Sequence, residues 1–248
     1  MIDIHAHILP GLDDGAPDME QALAMAEMAA ESGVTSIVTT PHSNLPGHYE
    51  NYWDMKLEGR FRALREAIQA SGIPLELYAG MEIFGTAEVP ELLRQGRLIP
   101  LAGSRYPLIE FPFHGYARQA TGILAEVLEL GYRPIVAHPE RYGFVQAEPE
   151  LINRWTDMGC LLQVNKGSLL GRFGRSAESM ALSLVDRGFA AAVASDAHSP
   201  AARTTWMADV ETLLREEFGA EAAQVLLKDN PRRVLLDQTI DMREPEWF

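Results

Sequence analysis

The segment Ile2-Asp3-Ile4-His5-Ala6-His7 begins the chain with alternating apolar and polar residues, a pattern that predicts a β-strand. Residues two apart on a strand point to the same face, so His5 and His7 would present their imidazoles side by side. Such a pair is suited to binding one metal ion. On its own a His-x-His pair is a weak signal, because most such pairs are ordinary polar residues. Its weight comes from further histidines and acids that follow other predicted strands.

Short apolar runs alternate with longer stretches of helical periodicity along the whole chain. The first helix is predicted to begin at Asp18 as N-cap, with Gln21 three residues on, and to end at Gly33. The runs that predict strands after the first are residues 36–40, 75–82, 108–111, 134–137, 161–165 and 191–195. Repeated βα units indicate an α/β fold with a parallel sheet. A closed, distorted barrel of about seven units fits better than an open Rossmann sheet, since no G-x-G-x-x-G follows the first strand.

Composition narrows the class of protein. The chain has 248 residues and a formal net charge of −14, which argues against a nucleic-acid partner held by phosphate contacts. The single cysteine, Cys160, excludes an intramolecular disulfide and fits a reducing cytoplasm. No signal-peptide pattern and no apolar run of membrane-spanning length is present. We therefore expect a cytoplasmic protein without membrane insertion. No repeat or linker divides it, so we predict a single domain over residues 1–248.

Candidate metal ligands lie at the ends of the predicted strands that open on one rim of a barrel. They are His5, His7, Asp14, His42, Glu82, Glu110, His138, Asp196 and His198. Imidazoles and carboxylates without a thiolate suit a divalent ion such as Mn²⁺, Fe²⁺ or Zn²⁺. The set is too large for one ion, so it predicts a multinuclear centre.

Each of these residues also has an ordinary interpretation when taken alone. Asp14 beside Gly15 is a common turn former, His42 after Pro41 fits a loop, and a glutamate at a strand end is often solvated. Their shared placement at the ends of successive strands favours the metal site. His48 and His114 lack that placement, and we predict that they are surface or loop residues.

Two arginines are predicted to overhang the same rim. Arg141 lies three residues after His138, and Arg203 lies five residues after His198. The planar guanidinium binds phosphate or carboxylate through two points, although either arginine alone is more often a surface ion-pair partner. Together they favour a phosphate ester as substrate.

Cysteine-based phosphatase chemistry is not predicted. That chemistry needs a Cys-x5-Arg loop, and Lys166 stands where the arginine would follow Cys160. The surrounding segment has the pattern of a buried strand, so Cys160 is predicted to be a structural thiol.

A more specific resemblance is carried by the motifs IDIHAH (2–7), DDG (13–15), TPH (40–42), SRYPLIEF (104–111), AHPERY (137–142), DMGC (157–160), QVN (163–165), ASDAH (194–198) and DNPRR (229–233). From residue 1 to about residue 240, the chain resembles the bacterial PHP-type (polymerase and histidinol phosphatase) protein-tyrosine phosphatases of capsule and exopolysaccharide operons. The resemblance implies a distorted, TIM-like (βα)7 barrel with a three-metal site that usually holds manganese, with Fe²⁺, Zn²⁺, Co²⁺ or Mg²⁺ as other occupants. By motif position it implies three ligand groups, namely His5, His7, Glu82 and Asp196; Glu82, Glu110 and His138; and Asp14, His42 and His198.

The same resemblance implies that Arg141 and Arg203 bind the phosphate as catalytic residues. The expected reaction is hydrolysis of phosphotyrosine by in-line attack of a metal-bridging hydroxide, without a phosphoenzyme. The implied substrate is a phosphotyrosine protein, namely a bacterial tyrosine autokinase that controls polysaccharide synthesis. Two alternatives remain open at this point: a histidinol-phosphate phosphatase or other phosphomonoesterase on the same barrel, and a non-catalytic, metal-bound regulator of the kinase.

Overall fold

A computed structural model describes residues 1–248, with nine strands and eleven α-helices. The strands are β1 (Ile2–Ala6), β2 (Ser36–Thr39), β3 (His42–Ser43), β4 (Glu76–Ala79), β5 (Glu82–Phe84), β6 (Leu108–Glu110), β7 (Ile135–Ala137), β8 (Leu161–Asn165) and β9 (Ala190–Ala194). The helices are α1 (Met19–Glu31), α2 (Met55–Ala70), α3 (Val89–Arg94), α4 (Ala117–Glu129), α5 (Gly143–Ala147), α6 (Glu150–Met158), α7 (Lys166–Leu169), α8 (Arg175–Asp186), α9 (Ala208–Glu217), α10 (Gly219–Gln224) and α11 (Asn230–Leu235). None of these helices combines the length and the apolar character needed to cross a bilayer.

The strands form two parallel sheets that join into one barrel. One sheet has the order β1-β2-β4 and the other the order β3-β5-β6-β7-β8-β9. The chain runs directly from β2 into β3 and from β4 into β5, and β1 meets β9 through hydrogen bonds from Asp196 N–H to His5 O and from His7 N–H to Ala197 O, both 2.8 Å. Seven parallel segments therefore surround the barrel, which confirms the predicted α/β barrel. Their carboxyl ends all open on one rim.

The prediction of one continuous strand over residues 75–82 is wrong. The segment forms two strands, because the chain bends at Gly80 and transfers from one sheet to the other: β4 pairs with β2, and β5 pairs with β3 and β6. A Cβ atom on Gly80 would lie 2.8 Å from Val38 Cγ1 and 3.1 Å from Leu101 Cδ2. Only glycine allows this close approach. The bend places Glu82 at the start of β5, facing the centre of the rim.

The helices form where the sequence provides caps and apolar faces. As predicted, Asp18 caps α1 by accepting a hydrogen bond of 2.9 Å from Gln21 N–H, and the helix ends just before Gly33. A cluster of 52 buried apolar residues fills the space among the strands and helices. This packing holds the ends of the strands, and the polar side chains that follow them, in a rigid frame.

Candidate metal centre

The imidazoles of His5 and His7 lie fully buried at the end of β1, with their Nε2 atoms 3.3 Å apart. His5 Nδ1 lies 2.9 Å from Gln163 Oε1, and His7 Nδ1 lies 2.8 Å from Asp13 Oδ2. Because Gln163 uses its amide N–H on Val164 O, its oxygen is left to accept a hydrogen bond from His5. Each Nδ1 is thus a donor, which leaves each Nε2 as the atom that would bind a cation.

Glu82 lies at the centre of the site and contacts four histidines. Its Oε1 lies 3.2 Å from His5 Nε2 and 2.9 Å from His138 Nε2. Its Oε2 lies 3.2 Å from His7 Nε2 and 2.9 Å from His42 Nδ1. A buried carboxylate with a different pair of imidazoles at each oxygen could serve as a ligand to two cations.

The outer side of the site is formed by Asp14, His42, His198 and Glu110. Asp14 Oδ1 lies 3.5 Å from His42 Nε2 and 3.4 Å from His198 Nε2. Glu110 Oε1 lies 3.0 Å from His42 Nδ1. Asp14 is half exposed, so this side of the site faces solvent.

All nine predicted ligands come together in one cluster. Within three groups, one ligand atom from each residue lies within 4.8 Å of the others: His5, His7, Glu82 and Asp196; His7, Asp14, His42 and His198; and His42, Glu82 and Glu110. The first group matches the implied set of His5, His7, Glu82 and Asp196. The second group is the implied set of Asp14, His42 and His198 with His7 added. In the third group His42 takes the place expected for His138. His42 Nδ1 lies near both Glu82 Oε2 and Glu110 Oε1, whereas His138 Nε2 contacts the other oxygen of Glu82, Oε1, at 2.9 Å.

The electrostatics of the cluster fit divalent cations. Burial raises the pKa of Glu82, but His5 and His42 hold the pKa of this carboxyl well below its ordinary range. Burial lowers the pKa of His5, but Glu82 and Asp196 outweigh burial and raise the pKa of His5 above its ordinary value. The buried acids are thus balanced by protons on histidines, and bound cations would displace those protons.

Several buried polar atoms in the cluster have no hydrogen-bond partner within the protein. They are Glu82 Oε2, Asp196 Oδ1, His42 Nδ1, His138 Nδ1 and His198 Nε2. Glu82 Oε2 and His42 Nδ1 lie 2.9 Å apart but are not aligned for a hydrogen bond. An unpartnered buried polar atom is costly, and a concentration of them in one place indicates a ligand site. The residues present therefore fit a group of divalent cations.

Asp196 joins the ligand cluster to the two predicted arginines. Its Oδ1 lies 3.5 Å from the Nε2 atoms of both His5 and His7. Its Oδ2 lies 3.2 Å from Arg141 Nη1 and 2.5 Å from Arg203 Nη2. One carboxylate thus faces the histidines with one oxygen and the guanidinium groups with the other.

The backbone around these arginines is unusual. His138, Asp196 and Arg203 all have positive φ values, of 35°, 49° and 51°. Left-handed conformations at residues other than glycine cost free energy and concentrate at functional sites. A hydrogen bond of 2.8 Å from His198 N–H to Arg203 O ties the loop after β9 into this arrangement.

Three supporting residues were missed by the sequence analysis. Asp13 and Gln163 orient His7 and His5, and Asn165 Nδ2 donates a hydrogen bond of 2.6 Å to Asp196 Oδ2. The available signal was the polar pair Gln163 and Asn165 within the otherwise apolar β8, because buried polar side chains need partners.

The residues expected to lie outside the site do so. His48 and His114 are exposed, and Cys160 is buried in the apolar core. Burial raises the pKa of the Cys160 thiol to about 12, which leaves it protonated at neutral pH.

Comparison with known proteins places this geometry in a family. Residues 1–236 match the model of a family described as capsular polysaccharide synthesis, CpsB/CapC. The chain belongs to the CpsB/CapC family. It is 36% identical over 246 residues to the tyrosine-protein phosphatase YwqE of Bacillus subtilis, covering 99% of this chain and 96% of that protein. It is 33% identical over 245 residues to the tyrosine-protein phosphatase CpsB of Streptococcus pneumoniae, covering 97% of this chain and 100% of that protein.

Solved structures agree with this membership of the CpsB/CapC family. The structure superimposes with a TM-score of 0.93 and 34% identity on a crystal structure reported for YwqE from Bacillus subtilis and CpsB from Streptococcus pneumoniae, described as unique metal-dependent tyrosine phosphatases; the match covers 100% of this chain and 99% of that one. A lactonase from Listeria monocytogenes gives a TM-score of 0.60 at 12% identity, covering 96% and 95% of the two chains. The latter likeness concerns the fold alone. The resemblance inferred from the sequence motifs is confirmed.

Proposed function

We propose that this member of the CpsB/CapC family is a metal-dependent protein-tyrosine phosphatase. The relatives at 36% and 33% identity carry that name over nearly their whole lengths. The observation that carries the proposal is the position of Asp196, which links the eight other candidate ligands of the cluster to two arginines. A metal cluster beside two guanidinium groups is suited to binding and hydrolysing a phosphate monoester.

The proposed cofactor is manganese, bound as three ions. The three ligand groups described above would hold them, together with His138, whose Nε2 lies 2.9 Å from Glu82 Oε1. Glu82, His42 and His7 each belong to two of the groups. Bound divalent cations would supply Lewis acidity and a water of lowered pKa. Their identity in the cell follows from metal analysis of the purified protein by mass spectrometry.

Arg141 and Arg203 are proposed to bind the phosphoryl oxygens. Both side chains are partly exposed, with 16% and 31% of their surface accessible, and both already converge on Asp196 Oδ2. Their planar forks would orient the phosphoryl group and stabilise the charge that develops on it. The phenolate of tyrosine is a fairly good leaving group, so the reaction places little demand on a general acid.

Kinetics on two substrates test the proposed function. The manganese-loaded protein is expected to hydrolyse a phosphotyrosyl peptide with a higher kcat/KM than histidinol phosphate. The opposite preference would favour the histidinol-phosphate phosphatase. Arg141→Ala and His138→Ala are expected to lower p-nitrophenyl phosphate turnover by at least about a hundredfold. Unchanged turnover in these variants would show that the site assignment is wrong.

The proposed physiological partner is a tyrosine-phosphorylated bacterial autokinase that controls capsule or exopolysaccharide synthesis, in the cytoplasm. The family description and the relatives' names support a role in capsule synthesis. Release of phosphate from the cognate phosphorylated kinase tests this partner directly. A non-catalytic regulator would bind the kinase equally well after Asp196→Ala and would release no phosphate. The single domain over residues 1–248 remains a prediction, which limited proteolysis would test.

A further inference from the structure

Arg141 lies over two aromatic rings from separate loops. Its guanidinium carbon is 4.5 Å from the centre of the Phe113 ring and 4.2 Å from the centre of the Phe173 ring. Both distances are within the range of about 6 Å at which a cation is attracted to an aromatic face. Phe113 lies in the loop between β6 and α4, and Phe173 lies in the loop between α7 and α8.

The surroundings show that this contact is built into the fold. Phe113 is 39% exposed, and single exposed aromatic residues are common on protein surfaces. Here, however, two aromatic rings reach the same guanidinium. The chain also makes room for one of them, since a Cβ atom on Gly167 would lie 2.6 Å from Phe173 Cε2. Phe173 further lies 6.0 Å from the guanidinium carbon of Arg203, so it contacts both arginines of the site.

Stacking of this kind has a specific effect on a guanidinium group. Rings that cover its faces leave its N–H groups, which lie in the plane, free to donate hydrogen bonds. The Nη1 atom of Arg141 uses that edge on Asp196 Oδ2 at 3.2 Å. Held in this way, the long side chain loses little conformational entropy when phosphate binds.

We propose that Phe113 and Phe173 are positioning residues that hold Arg141 as a preformed phosphate-binding fork. The proposal rests on the proposed phosphatase function and adds to it the residues that orient one of its arginines. Neither ring is required to touch the substrate.

The test compares Phe113→Leu and Phe173→Leu with the ring-retaining variants Phe113→Tyr and Phe173→Tyr. Each leucine variant is expected to raise KM for p-nitrophenyl phosphate about threefold to fivefold, and the two together about tenfold, with a smaller change in kcat. The Kd of inorganic phosphate, measured by calorimetry on the metal-loaded protein, is expected to rise by the same factor. The tyrosine variants are expected to behave like the wild type.

Two controls separate positioning from other roles. Phe218→Leu changes a half-buried phenylalanine at the end of α9, outside the metal centre, and is expected to leave KM and the phosphate Kd unchanged. Metal content and melting temperature of all variants are expected to match the wild type. In an Arg141→Ala background, Phe113→Leu is expected to have no further effect on phosphate binding, and Phe173→Leu is expected to keep only the part of its effect that acts through Arg203.

Three results would overturn the proposal. Full leucine effects in the Arg141→Ala background would show that the rings do not act through Arg141. A larger loss for a phosphotyrosyl peptide than for inorganic phosphate would indicate direct contact with the substrate ring. An unchanged phosphate Kd in both leucine variants would show that the rings do not position Arg141. Failure of the phosphatase function itself is distinguishable, because the wild type would then bind phosphate without hydrolysing either ester.

Discussion

Asp13 holds two parts of the candidate metal centre at once. Its Oδ2 contacts His7 Nδ1 and accepts a hydrogen bond from His42 N–H, both at 2.8 Å, and its Oδ1 accepts one from Gly15 N–H at 2.9 Å. A carboxylate behind a metal-binding imidazole fixes the orientation of the ring and raises its basicity. Asp13 thus supports the site without belonging to any of the three ligand groups.

Asp13→Asn is therefore expected to weaken metal binding by about 10- to 100-fold, because it removes the charge behind His7 while keeping the shape of the side chain. The affinity is measured by titrating metal-free protein with Mn²⁺. Asp157→Asn, at an exposed position on α6, is the matched control and is expected to bind Mn²⁺ like the wild type. Equal affinity in both variants would show that Asp13 does not support the ligand.

Cys160 is expected to be inert. Burial raises the pKa of its thiol from the ordinary 9.0 to about 12, so at pH 8.5 the thiolate is far rarer in the folded protein than in the unfolded chain. Alkylation by iodoacetamide at this pH is expected to be at least about a hundredfold slower in the native protein than in guanidinium chloride, as followed by mass spectrometry.

Removal of the thiol is expected to leave catalysis intact. Cys160→Ala should change kcat/KM for p-nitrophenyl phosphate by less than about twofold, because the thiol lies in the apolar core, away from the metal centre. A loss of activity at unchanged melting temperature would contradict the assignment of a structural thiol.

The clustering of the candidate ligands was predictable because two simple rules apply to them. Residues two apart on β1 share a face, which brings His5 and His7 together, and parallel strands end on one rim. The orienting roles of Asp13 and Gln163 follow instead from contacts across the barrel: Gln163 is 158 residues from His5 along the chain. Periodicity reports which face a side chain occupies, and it does not report which distant partner it meets.

The bend between β4 and β5 decides the position of Glu82. Gly80 packs against Val38 and Leu101, where a Cβ atom would lie 2.8 Å and 3.1 Å from their side chains. Gly80→Ala is expected to destabilise the protein by about 1–3 kcal/mol through overpacking and to reduce Mn²⁺ affinity by displacing β5. Urea unfolding of the metal-free protein measures the change in stability, and Mn²⁺ titration measures the change in affinity.

Gly122 provides the matched control for this substitution. It lies exposed on α4, and a Cβ atom there would meet nothing within 4 Å. Gly122→Ala is expected to stabilise the protein by about 0.5–1 kcal/mol, because alanine favours the helix. If both alanine variants changed stability in the same direction, the crowding at Gly80 would not explain the bend.

Element boundaries were predicted where local chemistry sets them and missed where packing sets them. The start of α1 follows from the side chain of Asp18, which caps the helix without help from the rest of the fold. The division of residues 75–82 into two strands depends on Val38 and Leu101, which are distant in sequence. An apolar run with one glycine does not reveal which neighbour it approaches.

At the scale of the whole molecule, the barrel was predictable because βα repetition and the absence of a dinucleotide motif leave few architectures. The joining of two sheets into one ring was not, since it depends on the contact of β1 with the segment after β9. That closure brings His5 and His7 beside Asp196, which is distant in sequence. The candidate metal centre is therefore a property of the closed barrel and does not exist in the unfolded chain.

Divalent cations are accordingly expected to stabilise the entire fold. A ligand that binds only the native state at a concentration of 100 times its Kd adds about 2.7 kcal/mol per site to the free energy of unfolding. For a chain of this size, that gain corresponds to a rise in melting temperature of about 5–10 °C. Calorimetric melting in Mn²⁺ and in EDTA measures the difference.

Because the net charge of −14 also attracts cations to the surface, Asp196→Asn serves as the comparison: it removes one ligand charge and leaves the surface unchanged. Asp157→Asn is expected to retain the full rise in melting temperature with Mn²⁺, and Asp196→Asn is expected to lose most of it. An equal rise in both variants would attribute the stabilisation to the acidic surface and contradict a specific metal centre.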